Sequence, residues 1–290
     1  MTTMKRATLG KLLGILALVA AGGMRRASAS GWDLINMPRG VTNVSTRIYA
    51  LHMMAFWVCV GVAVVVFGVM IWSLIFHRKS RGAVPDVTMT HSTKVEIVWT
   101  IVPVVILVSM AIPAARLLVR INNNTDPQLS IRVTGFQWGW YYHYVGTHVS
   151  FVSKLSASSN AARQLDSGIS PTSVPHYLLS VDHKLVVPVG EKIRLLITSV
   201  DVIHSWWVPD LGVKKAAIPG FINQASFTIA PNKPGVYRGQ CAELCGRDHA
   251  FMPIVVRAVS PAQFSAWIEQ HTGQPTEAAA GSAAAQATRT

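Results

Sequence analysis

Charge is scarce in this chain: Asp, Glu, Lys and Arg make up 13% of its 290 residues, while half are hydrophobic. For this length, that balance points away from a wholly soluble protein and toward a membrane protein with one globular domain. Acids are scarcer than bases, 13 against 26, but the excess is not a nucleic-acid footprint. Residues 1–29 hold five Lys and Arg and no acid, and from Ile121 onward thirteen bases stand against ten acids. The outer part of the chain is therefore only about +3, which excludes the dense basic surface that nucleic acid requires. Cysteine is the third scarcity. There are three, none in a Cys-x-x-Cys-His arrangement, so no haem c is attached to this chain.

The apolar residues, by contrast, are concentrated. Lys5, Arg6 and Lys11 precede an apolar core over 12–23 and the small residues Ala27-Ser28-Ala29, the pattern of a secretory signal peptide over 1–29. Arg25 and Arg26 between the core and the small residues are unusual for such a signal, and an uncleaved anchor is the alternative. Residues 49–76 are almost continuously apolar, enough to span a bilayer that needs roughly 20 helical residues. A second such run covers 95–118 and holds Pro103 and Pro113, which spanning helices tolerate where neighbours satisfy the freed carbonyls. The two predict a transmembrane hairpin within 30–120. The link between them holds His77, Arg78, Lys79, Arg81 and Lys94 against the single acid Asp86, and excess basic residues mark a cytoplasmic loop. Glu96 opens the second helix, where a carboxylate is favoured by the helix dipole.

After a polar linker at 122–127 the pattern changes to short strands with Pro and Gly punctuation: 129–134, 178–188, 192–198, 226–229 and 236–240. These suggest a Greek-key β-sandwich over 121–271. The run Gly135-Phe136-Gln137-Trp138-Gly139-Trp140-Tyr141-Tyr142-His143-Tyr144 is the densest aromatic stretch, and such residues suit a strand. The Ser/Ala-rich stretch 152–173 reads as a loop and 261–270 as a short closing helix. The Ala/Gly/Thr-rich end, 272–290, has the composition of a disordered tail.

One stretch carries chemistry: Cys241-x3-Cys245-x3-His249-x2-Met252. Thiols, imidazole and thioether are soft ligands that select copper over hard cations. His204, in Asp201-Val202-Ile203-His204-Ser205-Trp206-Trp207, offers a second imidazole in an apolar setting. One thiolate, two imidazoles and a weak axial Met would complete a single blue-copper ion, so the second thiolate is surplus unless both sulfurs bridge two ions. Structural zinc is a rival, though zinc sites are closed sets without Met. A Cys241–Cys245 disulfide is another, and it leaves His204, His249 and Met252 unexplained. Cys59, in mid-helix, is a small buried hydrophobe.

These residues resemble the CuA domain of cytochrome c oxidase subunit II, and the likeness runs from about Ile48 to Trp267. It implies a membrane α-hairpin followed by an all-β, cupredoxin-like Greek-key sandwich. It implies dinuclear copper with Cys241 and Cys245 bridging both ions, His204 and Met252 completing one, and His249 with the Glu243 carbonyl completing the other. The Glu243 carboxylate would share a magnesium or manganese ion with haem-bearing subunit I. Trp138 would be where electrons arrive from a periplasmic donor, a cytochrome c or a small copper protein. Glu96 matches the family residue at the mouth of a proton-uptake channel. Subunits I and III are the implied partners, membrane lipid the surrounding medium, and nucleic acid is no partner. The implied setting is a bacterial inner membrane, crossed twice, with the C-terminal domain in the periplasm. The resemblance breaks at His143, Ala216 and Phe221, where the family has polar or acidic residues. These departures predict donor docking by apolar contact and an acid-facing surface with few carboxylates to protonate. A quinol oxidase subunit II would share the architecture without copper, and the intact ligand set argues against it. The CuA domain of nitrous oxide reductase lacks the two spanning helices.

Overall fold

The computed structural model describes residues 36–272 apart from 83, 85–87 and 89–90, so the predicted signal peptide and tail lie outside the described residues. The chain divides into a unit Met1–Pro38 and a unit Arg39–Thr290, and everything below concerns the second.

Helix α1 spans Asn43–Phe76 and α2 Thr93–Ile121. At 1.5 Å per residue the 34-residue α1 is about 51 Å long and α2 about 44 Å, longer than a hydrocarbon layer of ~30 Å. Both are long and apolar enough to cross a membrane, and most of their large side chains are exposed, Leu117 being the buried exception. Helix α1 starts earlier than the apolar run because Thr42 and Ser45 form a capping box, each hydroxyl accepting the other's backbone N–H. The cap is stitched to the β-domain: the Thr42 hydroxyl donates to the Leu211 carbonyl at 2.9 Å, and Val41 N–H to the Asp210 carbonyl at 2.9 Å. A Cβ on Gly212, at φ +67, would lie 2.9 Å from Ser45 Cα, so this contact needs glycine twice over.

The β-domain holds two five-stranded sheets. The first orders β3 (Ser150–Ser153), β2 (Gly139–Tyr144), β1 (Leu129–Phe136), β5 (Lys192–Ser199) and β8 (Asn223–Thr228). The second orders β4 (Leu185–Pro188), β10 (Pro253–Val259), β9 (Gly235–Cys241), β6 (His204–Val208) and β7 (Val213–Ala217). β1–β5 and β4–β10 pair in parallel, the rest antiparallel. β5 alternates buried and half-buried residues without a break, the pattern of a strand with one face on a core. Ile131, Val133, Ile193, Leu195 and Ile197 of the first sheet meet Leu185, Val187, Trp206, Val208, Ile254 and Val256 of the second in one core. Across it the Tyr144 hydroxyl donates to the Val186 carbonyl at 2.7 Å and accepts Val186 N–H at 3.0 Å. Helix α4 (Pro261–Thr272) closes one end, with Phe264 and Trp267 against Tyr144 and Phe151. This is the β-sandwich on a two-helix hairpin that the resemblance implies, cupredoxin-like in its two packed sheets.

Several details differ from the sequence reading, among them β6, β7 and β10, where no strand is predicted, and Cys59, which is exposed rather than buried. The predicted strand 178–188 is strand only over Leu185–Pro188, because His176 and Leu178 take positive φ in a turn-rich approach. The aromatic run is a hairpin rather than one strand, folding back at Gln137-Trp138 between β1 and β2. The Ser/Ala-rich stretch begins in β3 and contains a short helix α3, Ala157–Ala162.

Candidate metal centre

Two strands and one loop of the second sheet bring the soft ligands together. His204 opens β6, Cys241 ends β9, and the pairing Trp206↔Cys241 fixes them side by side. Ala242 N–H donates to the Ser205 carbonyl at 3.0 Å and Cys241 N–H to the Met252 carbonyl at 3.0 Å, so the 242–252 loop leaves and re-enters the sheet at the ligand positions. His204, Cys241, Cys245 and Met252 are buried, His204 at 0% exposure; His249 is half-buried. The ligand atoms of His204, Cys241 and Cys245 all lie within 4.8 Å of one another. Cys241 Sγ is 4.0 Å from His204 Nδ1 and 3.9 Å from Cys245 Sγ, and Cys245 Sγ is 3.5 Å from His249 Nδ1. The Cys241 thiol also donates to the Glu243 carbonyl at 3.3 Å, while the Glu243 residue is exposed.

These distances fit a metal. Two sulfurs on one ion with bonds of ~2.3 Å can be at most ~4.6 Å apart, and 3.9 Å falls inside that limit. It is also far beyond a disulfide bond of ~2.05 Å, and both residues are free thiols. Charge is shared unevenly between them. Burial raises the Cys241 thiol, yet hydrogen bonds with His204, with the backbone at Ser205 and Glu243, and with His249 outweigh it and bring it to about 7. Burial and then the neighbouring Cys241 charge push Cys245 up to about 12. One thiolate is therefore available near neutral pH, and a cation is what allows a second beside it.

The imidazole of His204 is held from behind. Its Nε2 lies 2.9 Å from Asp201 Oδ1, leaving Nδ1 toward Cys241, and such a carboxylate fixes the tautomer and ring orientation of a metal-binding histidine. Burial would depress this imidazole, but Cys241 and Asp201 together raise it. Asp201 also accepts Gln137 N–H and Val202 N–H, both at 2.6 Å, and the Ser199 hydroxyl at 3.2 Å. Burial raises its carboxyl, and the bonds from His204, Gln137 and Val202 more than offset this and lower it. A Cβ on Gly135 would meet His204 Cδ2 at 2.8 Å, so the ring rests directly on the β1 backbone. Asp201 is not among the residues singled out from the sequence; its Asp-x-x-His spacing to His204 is the signal that could have found it.

Trp138 stands where the hairpin folds back, half-buried. Its indole N–H donates to the Cys245 carbonyl at 3.1 Å, beside Gln137 Nε2 at 2.8 Å, and the Arg247 guanidinium lies 5.6 Å over the ring. Helix α3 adds a contact with no sequence signal. Arg163, just beyond it, pairs with Asp248 at 3.4 Å through both carboxylate oxygens and lies 4.2 Å over the Phe251 ring, gripping the loop on either side of His249. Glu96 is elsewhere, in the first turn of α2, 25 residues or about 38 Å of helix from Ile121.

Comparison with known proteins agrees along most of the chain. The family descriptions "Cytochrome C oxidase subunit II, transmembrane domain" and "Cytochrome C oxidase subunit II, periplasmic domain" match residues 29–117 and 129–259. Cytochrome c oxidase subunit 2 of Arabidopsis thaliana is 37% identical over 242 residues, 83% of this chain and 90% of that protein. That of Oenothera berteroana is 36% identical over 250 residues, 86% and 94% of the two. Among solved structures, the periplasmic domain of subunit II of the Bradyrhizobium japonicum cytochrome oxidase is 39% identical, covering 50% of this chain and 94% of that one at a TM-score of 0.43.

Proposed function

The chain belongs to the cytochrome c oxidase subunit II family, and we propose that it accepts electrons from a donor at a dinuclear copper centre and passes them to haem in subunit I. The observation that carries this is the meeting of His204, Cys241 and Cys245 in one dry pocket, with His249 on the far side of Cys245. Cys241 and Cys245 would hold both ions, His204 and Met252 one of them, and His249 with the Glu243 carbonyl the other. Copper bound there supplies reversible one-electron uptake and release.

The protein's own residues prepare for that chemistry. Burial of the thiols, His204 and Met252 excludes water, so little solvent has to reorient when charge changes. Asp201 and Gly135 hold His204, and Arg163 steadies the loop. Trp138 links the surface to the Cys245 backbone through a single hydrogen bond, which supports its role as the point where electrons arrive. Next to the ligands in sequence, Leu244 is 79% exposed and Val202 and Ile203 are exposed as well, which supports docking by apolar contact. The exposed Glu243 side chain suits a magnesium or manganese ion shared with subunit I. In this reading 1–29 is a cleaved signal, 30–120 the hairpin and 121–271 the copper domain in the periplasm. The membrane is then a bacterial inner membrane, and subunit III a further partner. Glu96, at the opposite end of α2, would lie near the mouth of a proton path.

Electron paramagnetic resonance of the copper-loaded chain tests the centre. An unpaired electron shared by two copper nuclei gives seven hyperfine lines, one confined to a single copper gives four, and the proposal requires seven. Cys245→Ser replaces a soft thiolate by a hard hydroxyl and should lose the pair. Two coppers retained in that variant with an unchanged spectrum would refute the bridging role.

A further inference from the structure

We infer that the cleft where the two spanning helices meet the β-sandwich binds one anionic phospholipid of the leaflet on the β-domain side. A cavity of about 620 Å³ lies there, lined by the start of α1, the residues after α2 and one end of β8. Four of its lining side chains are cationic, Arg47, Arg120, Lys192 and Lys233, and none is acidic. Arg47 and Arg120 also line a second cavity of about 360 Å³ between the helices, with Arg116, Leu51, Met54 and Leu117. Leu51 also lines a third, about 440 Å³, walled otherwise by Ile48, Ala55, Met110 and Ala114, with His52 its one ionisable side chain. The combined space is polar and basic at one end and apolar at the other, the shape and polarity of a lipid with a phosphate head and acyl tails.

Its depth agrees. Arg47 is the fifth residue of α1 and Arg120 the last but one of α2. Both helices exceed the hydrocarbon thickness, so these ends reach the headgroup layer, ~5–8 Å thick on each side. Cations at this end also run against the usual bias, which places them on the opposite, cytoplasmic side. Their protein partners do not account for them. Among the described residues the side chains of Arg116 and Arg120 make no hydrogen bond or ion pair, and the Arg47 side chain donates only from Nε, to Asn43 Oδ1 at 3.1 Å. Lys192 donates to the Thr125 carbonyl at 2.6 Å and to Asn123 Oδ1 at 3.4 Å, neutral acceptors that leave its charge uncompensated. Guanidinium groups bind phosphate oxygens through paired N–H donors. A zwitterionic headgroup would bring an ammonium into the same basic cleft, so the ligand is a net anion.

The test uses the intact purified oxidase, delipidated in detergent and re-equilibrated with phosphatidylglycerol, phosphatidylcholine or glycerol phosphate. Bound lipid is then counted by mass spectrometry. Wild type should retain one phosphatidylglycerol per complex, which the other two do not displace at equal concentration. A cation beside an anionic headgroup is worth about a five-fold change in affinity, so Arg47→Gln with Arg120→Gln should weaken binding roughly 30-fold, while the two Arg→Lys changes keep most of it. The single variant Lys233→Gln, at an exposed loop position, should cost about five-fold. The copper absorption band, on residues remote from the cleft, checks folding in each variant. The inference is overturned if the Gln variants bind phosphatidylglycerol like wild type, or if phosphatidylcholine is retained equally. It is also overturned if the wild-type complex exchanges no lipid here because another subunit fills the cleft, or if glycerol phosphate alone competes, which would make this a phosphate site without tails.

Discussion

Asp201 should govern copper affinity more than it governs folding, and the structure sets both magnitudes. Its carboxylate serves four donors at once: His204 Nε2, Gln137 N–H, Val202 N–H and the Ser199 hydroxyl. Gln137 and Val202 are exposed, so in Asp201→Ala water replaces the lost acceptor for their N–H groups, and each costs toward the low end of the ~1–3 kcal/mol of an unsatisfied donor. His204 has no such recourse at 0% exposure. Its Nε2–H is left without a partner and its ring is free to rotate or change tautomer, which for a carboxylate behind a metal-bound histidine typically costs 10–100-fold in metal affinity, or about 1.4–2.7 kcal/mol. Asp201→Asn separates the two effects. An amide oxygen turned toward His204 keeps that bond and sets an NH₂ against Gln137 N–H, so copper should be held nearly as in wild type while the Trp138 turn loosens. Chelator competition gives copper affinity, and thermal unfolding of the metal-free domain gives stability. Asp201→Ala binding copper within two-fold of wild type, or Asn and Ala behaving alike, would refute the reasoning.

Trp138→Ala removes the indole bond to the Cys245 carbonyl, worth about 1 kcal/mol, and the surface link to the ligand loop. Electron arrival from an external donor should slow several-fold while the copper spectrum and internal transfer to haem stay unchanged in stopped-flow measurements. Asp210 gives a pH signature. Burial raises its carboxyl above the ordinary range, so the native state holds this proton more tightly than the unfolded state does. Its contribution is most favourable below the unfolded value of ~4 and declines as pH rises through the raised native one. Asp210→Asn should therefore raise the unfolding temperature at pH 7 and change it little at pH 3.5. Donor docking should depend weakly on salt, since Leu244, Val202 and Ile203 beside the ligands in sequence are exposed and apolar, the Arg247 charge over Trp138 is offset by Asp248 at 3.4 Å, and steering by exposed charge is what salt screens. A steep fall of turnover with ionic strength at pH 7, together with copper loss at pH 4, would defeat the apolar, acid-facing interpretation. His143 bears on it, because burial and then the Arg132 charge lower its imidazole. It stays neutral further into acid than an ordinary histidine, and its lowered value costs stability as pH falls below about 6.5.

What was legible in the sequence was what the chain carries locally. Cys241, Cys245, His249 and Met252 lie within twelve residues, so their chemistry reads off the spacing whatever the strand pairing around them. The spanning helices were legible for the same reason, although their starts were not: a capping box at Thr42 and Ser45 extends α1 beyond its apolar run. Contacts made by topology left no such trace. Trp138 reaches the Cys245 carbonyl across 107 positions, and Arg163 reaches Asp248 across 85. The second comes from a stretch whose Ser/Ala composition reads as loop. Even the aromatic run misled as a single strand, because aromatics suit either arm of a hairpin and Gln137-Trp138 carries no turn residue of the usual kind. The cleft at the helix ends is the extreme case. Arg47, Arg120, Lys192 and Lys233 are spread over 187 positions, each alone is an ordinary solvated charge, and the parallel pairing of β1 with β5 and the docking of Thr42 on Leu211 are what set them around one space. A binding site assembled in this way has no motif, and its ligand can be inferred only from the charge and shape that the fold creates.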